Sequence, residues 1–325
     1  MNWAIIGTSF ISDVMAEAIK GDKGSQLYAV SGRSEKNLRA FALKHNPRKT
    51  YSDYHALIQD PDVDMVYIAL PNHLHHEYIL KAAEAGKAIL CEKSLSIDME
   101  KTKLSLEAVN KHDVFFAEGL MYLCHPVIEQ ALAVLRSGKI GEIKNIQASY
   151  VADIAQFVNP DSKGALYNLG CYPMSLAYLV LSESLTQEEL MDFEVSAFGT
   201  RGNDGNICES SASFCFSKKV NAQLHTAETY GLKHGFTILG SKGRLTFNTN
   251  PWLPAESNEL EVEIYESDSE RIRIAADGDA FFYQVRAVRD AFERGETSLQ
   301  WPKATHDLSE HVMKLLTEWE AETKA

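Results

Sequence analysis

Trp3-Ala4-Ile5-Ile6-Gly7-Thr8-Ser9-Phe10-Ile11-Ser12 opens with a short apolar run that stops at a glycine and passes into Ile11, Val14, Met15, Ala18 and Ile19 at helical spacing. The pattern reads as strand, tight turn and helix. The same alternation continues outward. Residues 27–31 form a second strand, and 34–44 a second helix with Leu38, Phe41 and Ala42 on one face and Ser34 at the N-cap. Residues 63–70 are a near-continuous apolar run suited to a strand buried on both faces, and Pro71-Asn72 opens a helix that ends at Gly86. A strand at 88–91, a helix over 97–111 and a strand at 114–118 complete the series. Short apolar strands alternating with amphipathic helices imply an α/β fold with a parallel sheet covered on both sides, whose ligands sit at the carboxyl ends of the strands.

After Glu118 the pattern changes. Helices at 126–137 and 169–181 surround strands at 143–151, 193–198, 211–216, 220–226, 236–239 and 260–265, which alternate polar and apolar residues. Hairpin-like breaks at Ser217-Lys218 and Ser241-Lys242-Gly243 point to one large, mostly antiparallel, open-faced sheet. Helices at 280–294 and 304–322 close the chain. The expected organisation is a Rossmann domain over 1–119 and a substrate-binding and oligomerisation α+β domain over 120–325. The exposed sheet face is expected to be covered by self-association, as a homodimer or higher homo-oligomer, because alternating strands leave apolar residues on both sides.

A net charge of -13 and the absence of any basic stripe argue against nucleic acid as a partner. The five cysteines are odd in number and lack C-x-x-C spacing, which fits a reducing compartment. With no signal-like start and no apolar run of spanning length, a cytoplasmic protein without membrane attachment is expected. His75 and His76 are neighbours at a helix start and project differently, so the cluster His73, His75, His76 is not expected to hold a metal.

The turn Gly7-Thr8-Ser9-Phe10-Ile11 stands where a dinucleotide fingerprint G-x-G-x-x-G would stand, with only its first glycine present. Serine is small enough for the backbone to approach a pyrophosphate, and the helix N-terminus offers unpaired N–H groups. At the end of the second strand, an NAD site places Asp or Glu against the ribose 2′-hydroxyl. Here the residues are Ser31-Gly32-Arg33-Ser34, whose guanidinium and hydroxyls suit a 2′-phosphate, favouring NADP(H) over NAD(H).

Leu70-Pro71-Asn72-His73-Leu74-His75, then Cys91-Glu92-Lys93-Ser94, Glu118-Gly119-Leu120-Met121-Tyr122 and Gly164-Ala165-Leu166-Tyr167-Asn168-Leu169-Gly170-Cys171-Tyr172 follow in order. Together they resemble the signatures of the glucose-fructose oxidoreductase, inositol dehydrogenase and MocA-like family over essentially the whole chain. The match is nearest its dihydrodiol and sugar dehydrogenase branch, which has tyrosine at the catalytic position; Asn250-Pro251-Trp252-Leu253-Pro254 echoes the same branch. The resemblance implies that Lys93 contacts substrate and the nicotinamide ribose and that Tyr172 is the acid/base. It also implies that Leu70, Asn72, His75 and Glu92 line the cofactor and that Tyr122 and Asn168 face substrate. Three features depart from the family pattern: the turn lacks two glycines, Leu123 replaces a frequent arginine, and Asn168 replaces the usual aspartate. An amide offers hydrogen bonds without the charge a carboxylate brings.

The implied pair is chemically coherent, since a hydride delivered to a ketone leaves an alkoxide that must be protonated as it forms. A tyrosine beside an ammonium can do so, because the positive charge lowers the phenol pKa. The expected activity is hydride transfer between NADP(H) and a carbonyl or secondary alcohol of a sugar, cyclic polyol or related diol. Alternatives are a nucleotide-sensing protein of the same fold with weakened turnover, or an oxidoreductase that retains its cofactor.

Overall fold

The computed structural model describes residues 1–325, which divide into two units: 1–124 with 281–310, and 125–280 with 311–325. The first unit alternates β1 (Asn2–Ile6), α1 (Phe10–Gly21), β2 (Gln26–Ser31), α2 (Glu35–His45), β3 (Lys49–Tyr51), α3 (Tyr54–Ile58), β4 (Met65–Ile68), α4 (Asn72–Glu84), β5 (Ala88–Cys91), α5 (Met99–His112) and β6 (Phe116–Glu118). Its six strands are all parallel, in the order β3-β2-β1-β4-β5-β6. Every residue of β4 and β5 is buried, as helices on both faces require. The strand order reverses between β1 and β4, opening a crevice at their carboxyl ends. Ser34 caps α2 by accepting the Asn37 N–H, as the sequence indicates. β3 and α3, which are short and carry no sustained periodicity, have no counterpart in the sequence reading.

The second unit contains α6 (Pro126–Arg136), β7 (Ile143–Ala152), α7 (Cys171–Leu181), α8 (Gln187–Met191), β8 (Phe193–Arg201), β9 (Ile207–Phe216), β10 (Val220–Ala227), β11 (Leu232–Gly240), β12 (Gly243–Phe247), β13 (Ser257–Ile264) and β14 (Ser269–Ala275). α9 (Ala280–Glu293), α10 (His306–Glu322) and β15 (Thr323–Lys324) end the chain. The sheet has nine strands in the order β14-β13-β12-β11-β7-β10-β9-β8-β15. It is antiparallel apart from the β7/β10 and β8/β15 pairs, which bears out the expected architecture. Ala222, Leu224, Phe214 and Phe216 point into the core, and α7, buried all round, packs on β7 and β10. The opposite positions of β9 and β10 carry Ser211, Ser213, Asn221 and Gln223, all exposed. The outward face there is a polar ladder, not the apolar surface that the sequence-based argument for self-association assumes.

The sequence reading assigns everything after residue 119 to one domain. In the structure residues 281–310 pack with the first unit instead. Phe116 N–H donates to the Thr297 carbonyl at 2.9 Å and forms a parallel bridge with Ser298, covering the edge beyond β6. On α9, Arg289 reaches Asp22 through Nε at 2.7 Å and a terminal nitrogen at 3.2 Å, where Asp22 is 5% and Arg289 18% exposed. Hydrophobic periodicity identifies a helix such as α9 but not the core it joins. Replacing Arg289 with alanine leaves a buried carboxylate without its ion partner, and urea denaturation should show a loss of about 3 kcal/mol. A loss typical of exposed pairs, under about 1 kcal/mol, would show that the tie is dispensable.

Candidate functional site

In the first unit the crevice begins at Gly7. Its φ of 114° lies where side chains are disfavoured, and a Cβ there would stand 2.5 Å from the Ala69 carbonyl oxygen. Gly7 N–H donates to the Ser31 carbonyl and Ala69 N–H to the Ile6 carbonyl, both at 2.9 Å, so the turns after β1, β2 and β4 extend the sheet ladder. The start of α1 is tied back by a bond from the Ser9 N–H to Ser12 Oγ at 3.2 Å. Thr8 and Ile11 are partly exposed, while Ser9 and Phe10 are exposed, Phe10 at 81%. At the end of β2, Ser31 is wholly buried and its hydroxyl donates to the Tyr51 carbonyl at 2.9 Å, while the Ser34 hydroxyl serves the cap of α2. Ser31 thus spends its proton within the protein, whereas Ser34 accepts the Asn37 N–H and keeps its own proton to donate, and Arg33 is the exposed group of the three that carries charge.

The loops after β4 and β5 are joined through His75. Its ring is fully buried, with Nε2 2.7 Å from the Leu70 carbonyl and Nδ1 2.7 Å from the Ser94 carbonyl. Burial pushes its pKa down to about 4, so the ring is neutral near pH 7 and donates through one nitrogen at a time. The sequence places this ring along the cofactor; the structure makes it a brace between the two loops. Asn72, at the start of α4, is also buried. The Lys93–Ser94 peptide is cis.

Glu92 and Glu118 are buried behind the same loop. Tyr67 hydroxyl donates to Glu92 Oε1 and Lys93 N–H to Oε2 at 3.3 Å, while Leu95 N–H donates to Glu118 Oε1 at 2.8 Å. Burial raises both carboxyls, that of Glu118 to about 7, and the Lys93 ammonium is close enough to oppose the shift in each. Close approach explains Gly119, whose Cβ would lie 3.1 Å from the Cys91 carbonyl oxygen and 3.3 Å from Glu92 Oε1. Tyr122 is buried in the following 3-10 turn, Met121–Cys124.

In the second unit Tyr172 lies in the first turn of α7, directly after a single π-helical turn, Leu166–Gly170, that holds Asn168. The sequence reading starts its helix at residue 169; the wider turn that precedes it carries no signature in composition. Tyr172 packs edge-on against Tyr150 with ring centroids 5.1 Å apart and lies 6.2 Å from the Trp252 ring. Trp252 donates its indole N–H to the Ser149 carbonyl at 3.2 Å. Asn168 is buried, and its Nδ2 donates to Glu228 Oε2 at 2.8 Å. Sequence reasoning missed Glu228, which follows β10 outside any motif; it also missed the placing role of Glu118.

These strand-end loops define a dinucleotide-binding oxidoreductase fold. The family model described as "Oxidoreductase family, NAD-binding Rossmann fold" matches residues 1–120, and the model described as "GFO/IDH/MocA C-terminal domain" matches residues 128–246. The chain belongs to the GFO/IDH/MocA family of oxidoreductases. It is 28% identical to a trans-1,2-dihydrobenzene-1,2-diol dehydrogenase of Xenopus tropicalis, over 78% of this chain and 76% of that protein. It is likewise 28% identical to a dTDP-3,4-didehydro-2,6-dideoxy-alpha-D-glucose 3-reductase of Actinomadura kijaniata, over 87% of this chain and 85% of that one. A crystal structure of a 3-ketoreductase from Actinomadura kijaniata with NADP and TDP-benzene superposes with a TM-score of 0.89 at 25% identity, covering 100% of this chain and 98% of that one. No helix is long and apolar enough to cross a membrane.

The raised Glu118 pKa carries a stability consequence of definite sign. A carboxyl that titrates at about 7 when folded and near 4.5 when unfolded is held protonated by the fold, so its contribution is present below pH 4.5 and is lost as pH rises through 7. Glu118→Gln keeps an acceptor for the Leu95 N–H and does not ionise. Relative to the parent it should gain up to about 3 kcal/mol between pH 4.5 and pH 8 in urea denaturation. A difference independent of pH would mean that Glu118 titrates normally.

Proposed function

We propose that the protein is an NADP(H)-dependent oxidoreductase moving a hydride between nicotinamide and a carbonyl or secondary alcohol of a sugar, cyclic polyol or related diol. The observation that carries this reading is the buried scaffold behind Lys93: two carboxylates and an imidazole, each costly away from water, brace the loop that bears one ammonium. Groups perturbed in this way concentrate at functional sites. The names of the relatives, a diol dehydrogenase and a sugar-nucleotide 3-reductase, support the substrate class.

The crevice fits a dinucleotide, because a side chain on Gly7 would fill the space beside Ala69 and the α1 N-terminus directs unpaired N–H groups toward a pyrophosphate. When bound, the nicotinamide supplies or takes up the hydride. The remaining work falls to the chain's own residues. Arg33 faces the 2′-phosphate, and no carboxylate stands at the end of β2 to repel it. Tyr172 gives its phenolic proton to the carbonyl oxygen as negative charge develops there, and Lys93 stabilises that charge. Asn168 and Tyr122 hold substrate, Asn72 lines the cofactor, and His75 and Glu92 fix the backbone from which Lys93 projects. The Actinomadura kijaniata 3-ketoreductase has been crystallised with NADP, including forms with one lysine or one tyrosine replaced, in keeping with a lysine and a tyrosine at the centre of this chemistry.

Absorbance at the reduced nicotinamide band, with aldoses, ketoses and diols in turn, tests the reading; NADPH binding without turnover of any of them would overturn the substrate class. Arg33→Ala should cut the NADPH over NADH preference by about ten-fold or more in binding titrations, since it deletes a charge-assisted contact. Equal affinities in the unmodified protein would remove the assignment.

On the best substrate, Lys93→Met and Tyr172→Phe should each lower kcat by roughly a hundred-fold with NADPH affinity changed far less. The double variant should lose much less than the product of the two losses, because both residues serve one proton transfer. Full turnover by Lys93→Met would show that the active site is misassigned.

A further inference from the structure

We infer that the Tyr150 hydroxyl is a specificity-determining substrate contact: held beside Tyr172, it binds a second oxygen of the molecule whose reacting oxygen Tyr172 serves. The inference deepens the proposed function and rests on Tyr172 being the acid/base.

Along β7 the alternation puts Ile146, Ala148 and Tyr150 on the inner face, all buried, while Gln147 is exposed on the outer one. A tyrosine in such a row brings a hydroxyl that phenylalanine would spare, and a buried hydroxyl ordinarily needs a partner. Tyr28, Tyr67, Tyr167 and Tyr178 meet that need with Asp62, Glu92, Glu320 and Gln187. Tyr150 is 8% exposed and has ring contacts to Tyr172 and Trp252, but its hydroxyl bonds to no other residue. That oxygen is not one of the sealed, unpartnered polar atoms of the chain, so the small exposed part of the residue includes it.

The ring that carries the hydroxyl is held in place. Trp252, wholly buried, lies 6.1 Å from it at 30° and donates its indole N–H to the carbonyl of Ser149, the preceding residue, at 3.2 Å. Phe236 fixes Trp252 in turn, edge-on at 6.0 Å, and Tyr172 closes another side of Tyr150 with centroids 5.1 Å apart. Burial pushes the Tyr150 phenol up to about 12, so at neutral pH it keeps its proton and offers one O–H and its lone pairs. A ligand hydroxyl answers either end of such a group. Because the two phenols are packed together, one small polyol spans both. The matching substrate carries one oxygen for Tyr172 and a hydroxyl for Tyr150: a diol or a hydroxy ketone, in preference to a simple alcohol or ketone.

Tyr150→Phe removes the oxygen and keeps the ring. Calorimetric titration of the NADP+-loaded full chain with trans-cyclohexane-1,2-diol and with cyclohexanol reads the contact without turnover. The parent should bind the diol about ten-fold more tightly than cyclohexanol, and Tyr150→Phe should lose most of that advantage by weakening the diol alone. On the best substrate KM should rise by a similar factor with a smaller change in kcat. The urea unfolding midpoint should not fall, since the hydroxyl supports nothing within the chain. Equal binding of the two probes by the parent, binding of neither, an undiminished preference in Tyr150→Phe, or a lowered midpoint in that variant would each overturn the inference. Full turnover of the best substrate by Tyr172→Phe instead overturns the reading on which it rests.

Discussion

The geometry of the first unit's site depends on one buried imidazole. His75 spans the Leu70 and Ser94 carbonyls, and those carbonyls belong to the loops leaving β4 and β5, the two strands beyond the point where the sheet order reverses. Parallel strands end without hairpins, so nothing in the sheet itself fixes where the next loop goes. A ring rooted on α4 supplies the missing constraint, and Lys93 and Leu95 are placed on either side of Ser94 as a result. Glu118 then takes the Leu95 N–H from the end of the neighbouring strand, so the loop that carries Lys93 is held from both directions.

Unlike Asp22, which has Arg289, three buried carboxyls near the proposed site have their desolvation offset by one or two directed donors rather than by a full ion pair. Glu92 has Tyr67 and a backbone N–H, Glu118 a backbone N–H, and Glu228 the Asn168 amide. In all three, burial pushes the carboxyl upward. Such groups are poor stabilisers, since apolar residues of similar size would cost less to bury. Their value lies in what they orient, because each is bonded to a group at or beside a proposed site residue.

The fold was legible in the sequence wherever burial imposes a period. β4 and β5 are apolar throughout because helices cover both faces, and the strands of the large sheet alternate because one face meets water. What lacked a period was missed: three-residue β3, the π-helical turn at Leu166–Gly170, and the attachment of α9 to the first unit, where Arg289 meets Asp22 from far away in the chain. The proposed site divides in the same way. Lys93, Asn72, Asn168 and Tyr172 stand in local motifs, whereas Glu228 takes its place through a contact between a strand end and a helix start, and no spacing encodes it.

This division explains why roles were harder to read than positions. Ser31 stands where a 2′-phosphate contact is expected, yet its hydroxyl is spent on the Tyr51 carbonyl because β3, invisible in the sequence, lies beside β2. His75 stands in a motif associated with the cofactor, yet the carbonyls at both ring nitrogens leave it no free edge. In each case a short or irregular neighbour determines what a recognisable residue can do. Hydrogen-bonding capacity is finite, so a polar side chain is free to act on a ligand only to the extent that its surroundings have not already used it. Arg33 and Ser34 escape this limit, since the guanidinium is exposed beyond the end of β2 and the Ser34 hydroxyl, which accepts the Asn37 N–H, keeps its own proton to donate; of the two, the solvated cation is the part of the site least protected from salt.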